Sequence, residues 1–267
     1  MSSVSSPDEV LSTGDPGDET ARRYRYQWIY AAITCCLLLD EAEKTVEVFC
    51  EHHEDVLVKR ANGLFDGLQI KTRDMSQPPW KSDDEAVIKS FARFCKLEGQ
   101  FPGKFRGFRF LTNHPLYVCG NGKDIQYVLG QIRTANGSDS LPTAVKRFVA
   151  AIARAASCNQ DIAHHTLCKT GADDALPKLA DVQMRLIDAL TGTWQRATDL
   201  TFPAVRRAAI YLSDECGRAS SLAHEDYFRL TYRSVLTLAV LNCERDWKVR
   251  GSTAQGFFRF SRLTLTA

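Results

Sequence analysis

Between residues 45 and 72 the chain fits three short β-type stretches, at 45–51, 54–60 and 64–72, with almost nothing between them. Connections that short join antiparallel neighbours, because a parallel crossover needs a dozen residues or more. Ala61-Asn62-Gly63 supplies the second connection, a turn that tolerates positive φ. The segment therefore predicts an antiparallel meander. Within its last stretch Gln69 and Lys71 share one face, and Leu68 and Ile70 point to the other.

Helical patterns flank the meander. From Ala21 onward, Trp28, Ala32, Cys35 and Leu39 recur at steps of three and four, which gives a buried first helix with one apolar face. After Pro78-Pro79 breaks the chain, Ala86, Ile88, Phe91, Phe94 and Cys95 mark a second helix, with Asp83, Asp84 and Glu85 suiting its N-terminus. The aromatic and apolar residues of 105–113 then read as a fourth strand. The loop at 134–143 marks the expected boundary. Beyond it Leu179, Val182, Leu186 and Leu190 form one apolar stripe, and further helical patterns cover about 143–156, 203–216 and 225–241. The fold expected is α/β (α+β): a core of helix, three-strand meander, helix and strand over 21–140, then a mainly helical region over 141–267. Residues 1–20 hold five acids and no basic residue, among Ser, Gly and Pro, and read as a disordered acidic tail.

Composition narrows the function classes by exclusion. The chain has 267 residues, 44% hydrophobic and 25% charged, which is ordinary for a soluble globular protein. Lys+Arg 34 against Asp+Glu 32 leaves a net charge of +2, so local patterning must decide on nucleic acid. Nine cysteines, an odd number with no C-x-x-C pair, indicate neither a disulfide framework nor a zinc ribbon, and a cytoplasmic location is the simplest expectation. The apolar run from Ile29 to Leu39 falls short of the ~20 residues that cross a bilayer, and the N-terminus lacks a basic signal region. No membrane association is expected.

Chemistry concentrates in the meander. If 54–60 and 64–72 pair through the 61–63 turn, Asp55 comes beside Gln69 and Lys71, joining a carboxylate, an amide oxygen and an ammonium. That trio suits metal-assisted phosphodiester hydrolysis, because Mg²⁺ (or Mn²⁺) takes hard oxygen ligands and keeps room for water and phosphate oxygens. Asp55 and Gln69 would be the metal ligands. Lys71 would orient or activate water and stabilise the charge that builds on the phosphate.

The segment resembles the PD-(D/E)xK nuclease superfamily in its variant with Q-x-K, and the order of elements is also that of its restriction-endonuclease-like core. More narrowly, RYRYQWIYAA (23–32), EDVLV (54–58), LQIKTR (68–73) and FRFLTNHPLY (108–117) resemble the double-stranded DNA endonuclease domain of bacterial anti-phage effectors. The resemblance covers roughly residues 21–190. It implies a defence nuclease that acts on double-stranded DNA as a homo-oligomer, with a cyclic-oligonucleotide-sensing module or a HerA-type ATPase as partner. It also implies that Gln27, in the entry helix, contributes near the metal. The fused effectors continue into a sensor, which this chain's C-terminal region does not match. Two readings stand beside the nuclease: a catalytically inactive module of the same fold, used for DNA binding or assembly, and RNA as the substrate.

The remaining candidates are weaker in pattern. Arg73 follows Lys71 at the strand end and is the expected phosphate contact. Arg22, Arg23 and Arg25 interleave with Tyr24 and Tyr26, a pattern able to contact phosphates and stack on bases. Glu54 is expected to face solvent, away from the Asp55 side. His52 and His53 should point to opposite faces, and Cys158, His164, His165 and Cys168 match no common zinc spacing.

Overall fold

The computed structural model describes residues 16–135, 137, 140–221, 229–231 and 235. Its centre is a six-stranded sheet in the order β5-β4-β3-β2-β1-β6. The strands are β1 (Thr45–His52), β2 (Glu54–Arg60), β3 (Phe65–Lys71), β4 (Phe105–Thr112), β5 (Thr170–Asp173) and β6 (Arg229–Thr231). β1, β2 and β3 are the expected antiparallel meander, and β4 and β5 then add in parallel. Gly63, at φ +80°, makes the β2–β3 turn, where the Asn62 side chain accepts from the Leu64 amide.

Helices cover both faces, and the period-two alternation of the strands decides which residue feeds which layer. On one face α1 (Pro16–Cys35), α6 (Val182–Thr193) and α7 (Phe202–Ser221) pack over Val48, Val56, Val58, Leu68, Ile70 and Leu111. On the other α2 (Glu85–Gln100), α3 (Ile125–Thr134), α4 (Thr143–Ala156) and α5 (Gln160–Cys168) pack over Leu57, Phe108 and Phe110. Aromatic rings bind this second core: Phe94 stacks on Phe108 at 4.8 Å, and Phe91 meets Phe110 and Phe148 edge to face near 6 Å. Each such pair adds about 0.5–1.5 kcal/mol beyond its burial.

The helix, meander, helix and strand stand as expected, and three differences have physical causes. α1 begins at Pro16, inside the stretch read as tail: proline suits the first helical position, where its missing N–H would have no intrahelical partner. The 134–143 loop interrupts no core, since α4 packs on α2, and α6 and α7 pack on α1 across it. The region beyond is mainly helical, as expected, and adds two short strands to the sheet. β5 extends the sheet, and within the helix expected at 225–241 the described residues 229–231 form a strand against β1. The rest of that stretch lies mostly outside the described residues. No described helix is long and apolar enough to cross a membrane.

Candidate active site

β2 and β3 hold their ladder from Lys59–Phe65 to Val56–Leu68. Past that rung a side chain replaces the backbone partner, for the Ile70 amide donates to Asp55 Oδ2 at 2.7 Å. The same oxygen accepts from Gln27 Nε2 at 3.0 Å, and Lys71 Nζ stands 3.8 Å away. Gln27 also donates to the Ile70 carbonyl at 3.3 Å, which ties α1 to the end of β3. Asp55 is 9% exposed, and its position is set by these donors from two elements. Its other oxygen, Oδ1, takes part in none of these bonds.

Gln69 is buried at 3% exposure, and among the described residues its amide has no hydrogen-bond partner. Asp55 Oδ1 and the Gln69 side-chain oxygen are hard donors of the kind that Mg²⁺ or Mn²⁺ takes, so the residues present fit such an ion. Lys71 keeps about a third of its side chain exposed beside Asp55. Its ammonium can meet solvent or a bound anion without leaving the site.

Glu54 departs from the expected solvent-facing position. It is fully buried, turned toward α2, with its Cγ 3.4 Å from where a Cβ on Gly67 would sit. Arg93 Nε approaches Glu54 Oε1 at 3.5 Å but gives its hydrogen bond to the His53 carbonyl, and neither Glu54 oxygen has a hydrogen-bond partner. Burial pushes this carboxyl up to about 9, with Arg93 opposing and Asp55 adding to the rise. The cause lies next door: Glu51 and His53 both take positive φ, +53° and +64°, so regular alternation fails where β1 turns into β2. Glu51 joins the same field. Partial desolvation and then the Asp55 charge push its carboxyl up to about 7, although the residue keeps solvent on one side. A Glu-Asp dipeptide at a strand start is the signal that could have marked both acids.

A cleft of about 200 Å³ opens beside Lys71, lined by Arg23, Gln27, Arg73 and Trp80. Arg73 lies in this lining, yet its guanidinium is held from three sides. It donates to the Pro78 carbonyl at 2.8 Å, pairs with Asp84 at 2.9 Å and lies 3.4 Å over the Trp80 ring. Asp84 thus serves Arg73 and the Lys81 amide, while making no side-chain cap for α2. Arg22, Arg23 and Arg25 are exposed at the start of α1. Tyr26 is not available for stacking, being 1% exposed with its hydroxyl donating to the Pro177 carbonyl.

The weaker metal patterns do not assemble. No group of three or more His, Cys, Asp or Glu able to hold a metal occurs among the described residues. The His53 ring packs edge-on against Phe101, the His52 side chain lies outside the described residues, and His164 Nδ1 is 3.8 Å from Cys168 Sγ. The eight described cysteines are all free.

The family model for the Cap4 dsDNA endonuclease domain matches residues 15–220. The chain belongs to that family. The match spans α1 through α7, and therefore the whole Asp55 cluster. Among solved structures, the Acinetobacter baumannii Cap4 SAVED/CARF-domain containing receptor superposes with a TM-score of 0.52 at 12% identity, covering 90% of this chain and 49% of the receptor. The same receptor with the cyclic trinucleotide 2'3'3'-cAAA gives 0.52 at 11% identity, covering 90% and 47%. At such identity the likeness is one of fold, and the chain spans about half the length of the receptors it matches. No curated protein matches the chain.

Proposed function

We propose that this chain is a divalent-metal-dependent endonuclease that cleaves double-stranded DNA as part of an anti-phage defence effector. The observation that carries the reading is the Asp55 carboxylate at the end of the β2–β3 ladder, held by the Ile70 amide and by Gln27 from α1, with Lys71 at 3.8 Å and Gln69 two residues before it on the same strand. Membership of the Cap4 endonuclease family supports DNA as the substrate.

Asp55 and Gln69 would hold the metal, Mg²⁺ or Mn²⁺. Bound there, the ion would supply Lewis-acid stabilisation of the phosphate and a nucleophilic water at neutral pH. Gln27 and the Ile70 amide fix one carboxylate oxygen of Asp55, which leaves the other to face the ligand. Lys71 faces the position where negative charge grows in the transition state, and its ammonium orients the attacking water. Arg73, locked against Asp84 and Trp80, presents a fixed positive edge to the cleft and would guide the phosphate backbone.

The whole chain carries a net charge of only +2, which disfavours tight constitutive binding to DNA. Activation by homo-oligomer assembly follows from that, with a cyclic-oligonucleotide-sensing module or a HerA-type ATPase as partner, in the cytoplasm. Incubation of plasmid with the protein and Mg²⁺ or Mn²⁺, with and without chelator, tests the reading. Cleavage should vanish with chelator and in Asp55→Ala and Lys71→Ala; Lys71 is a third exposed, whereas Asp55 is buried and holds Gln27 and the Ile70 amide, so the fold of both variants is checked by circular dichroism alongside. Loss of cutting with DNA binding retained would be expected of both variants. Metal-independent cutting, or full activity in either variant, would refute the assignment; a wild type that binds DNA and never cuts would point to an inactive module.

A further inference from the structure

A second cavity, of about 650 Å³, lies at the opposite end of the sheet, and the proposed cleavage chemistry does not use it. Asp66 lines it and Lys71 closes the catalytic end. The two stand five positions apart on β3, about 17 Å at the rise of a strand. Four cations line the cavity: Arg106 and Arg109 from β4, Arg133 from the last turn of α3, and Lys169 just before β5. Asp66 is the lining carboxylate and Glu98 pairs with Lys169 from beside the cavity, so the local excess is two positive charges, as large as the total of the whole chain.

The four cations are not equally committed. Arg106 grips Asp66 through two hydrogen bonds of 2.8 Å, and Lys169 is tied to Glu98 at 2.7 Å and the Phe105 carbonyl. Arg133 makes one long bond, 3.4 Å, to the Thr170 carbonyl. Arg109 is exposed and has no hydrogen-bond or ion-pair partner among the described residues. Glycines open the floor: Gly171 lets Arg109 lie across β5, with Nη1 3.8 Å from the place of a missing Cβ, and Gly107 lets β4 approach the Lys169 carbonyl. One guanidinium fork without a partner, a second held by a single long bond, a supporting ammonium and a recess of this volume are the components of a polyanion pocket.

We propose that this cavity binds a small phosphate-bearing molecule carrying at least two negative charges, of nucleotide size. The concavity favours it over duplex DNA, a rod that would lie across the mouth and leave the recess empty. Calorimetric titration of the intact chain, in metal-free chloride buffer at about 0.15 M salt, with inorganic pyrophosphate, ADP and a short DNA duplex tests this. Pyrophosphate or ADP should bind, and Arg109→Ala and Arg133→Ala should each weaken binding about tenfold, the worth of one charge-assisted hydrogen bond. Gly171→Val, which fills the floor without touching charge, should do the same, while Arg147→Ala on exposed α4 should not. ADP binding more tightly than pyrophosphate would identify a nucleotide as the source; equal binding would identify the phosphates alone. No binding of either anion, binding unchanged in the three cavity variants, or an effect of those variants on duplex binding alone would overturn the proposal. Because no metal is present and Asp55 is untouched, that result is separable from failure of the nuclease reading.

Discussion

Replacing Glu54 with glutamine should stabilise the protein, and the gain should grow with pH. Burial holds this carboxyl at about 9 in the folded chain against an ordinary value of 4.5. Between those two values the folded state binds more protons than the unfolded state, so the contribution of Glu54 to stability falls as pH rises from 4.5 toward 9. At pH 7 the unfolded carboxyl has lost its proton over roughly 2.5 pH units, each worth about 1.4 kcal/mol, which puts the penalty near 3.5 kcal/mol. Glutamine has the shape of the protonated acid and cannot ionise. Neither Glu54 oxygen has a hydrogen-bond partner to lose, and Arg93 already gives its Nε–H to His53. Urea unfolding of both proteins without divalent metal, at about pH 5 and about pH 8, should show a difference under about 1 kcal/mol at the first and about 5 kcal/mol at the second. A difference independent of pH, or a less stable glutamine variant at pH 8, would mean that Glu54 folds as a carboxylate paired with Arg93.

Gln69→Glu keeps an oxygen at the metal position and adds charge, so it should retain substantial cleavage and need less Mg²⁺, whereas Gln69→Ala should lose most activity and regain part of it with Mn²⁺. A metal titration of cleavage for the two variants separates these, and the reverse order would remove Gln69 from the metal site. Specific activity should fall on dilution as assemblies dissociate, followed by light scattering beside the plasmid assay; a monomer with constant specific activity would refute this. Arg73→Ala should lower stability by about 1–3 kcal/mol in urea unfolding, because it removes a charge-assisted pair and a ring contact, and should weaken DNA binding as well.

Much of the fold was legible because it rests on local signals. The meander follows from three β-type stretches with connections too short for a crossover, and α2 from its apolar period. β5 was not legible: Thr170-Gly171-Ala172-Asp173 is four residues long with Thr170 its one β-branched residue, and it is held by β4 and by packing that no window of sequence contains. The start of α1 was missed because acid, Gly and Pro near a terminus carry the composition of a tail. Proline is favourable at the first helical position, which composition alone does not reveal.

The Asp55 cluster shows why a right neighbourhood can come from an incomplete geometry. Pairing across the 61–63 turn brings Asp55 toward Gln69, but a continued ladder would have spent the Ile70 amide on the β2 backbone and left Asp55 as one more alternating side chain. Instead the ladder ends at Val56–Leu68, and the carboxylate takes the place of a strand partner. That termination is a consequence of the positive-φ residues Glu51 and His53, which turn the start of β2 and drive Glu54 under α2. The cost of burying Glu54 and the availability of Asp55 are thus two results of one backbone irregularity. Neither acid can be placed by period-two counting, because the counting assumes the regular strand that the site has to interrupt.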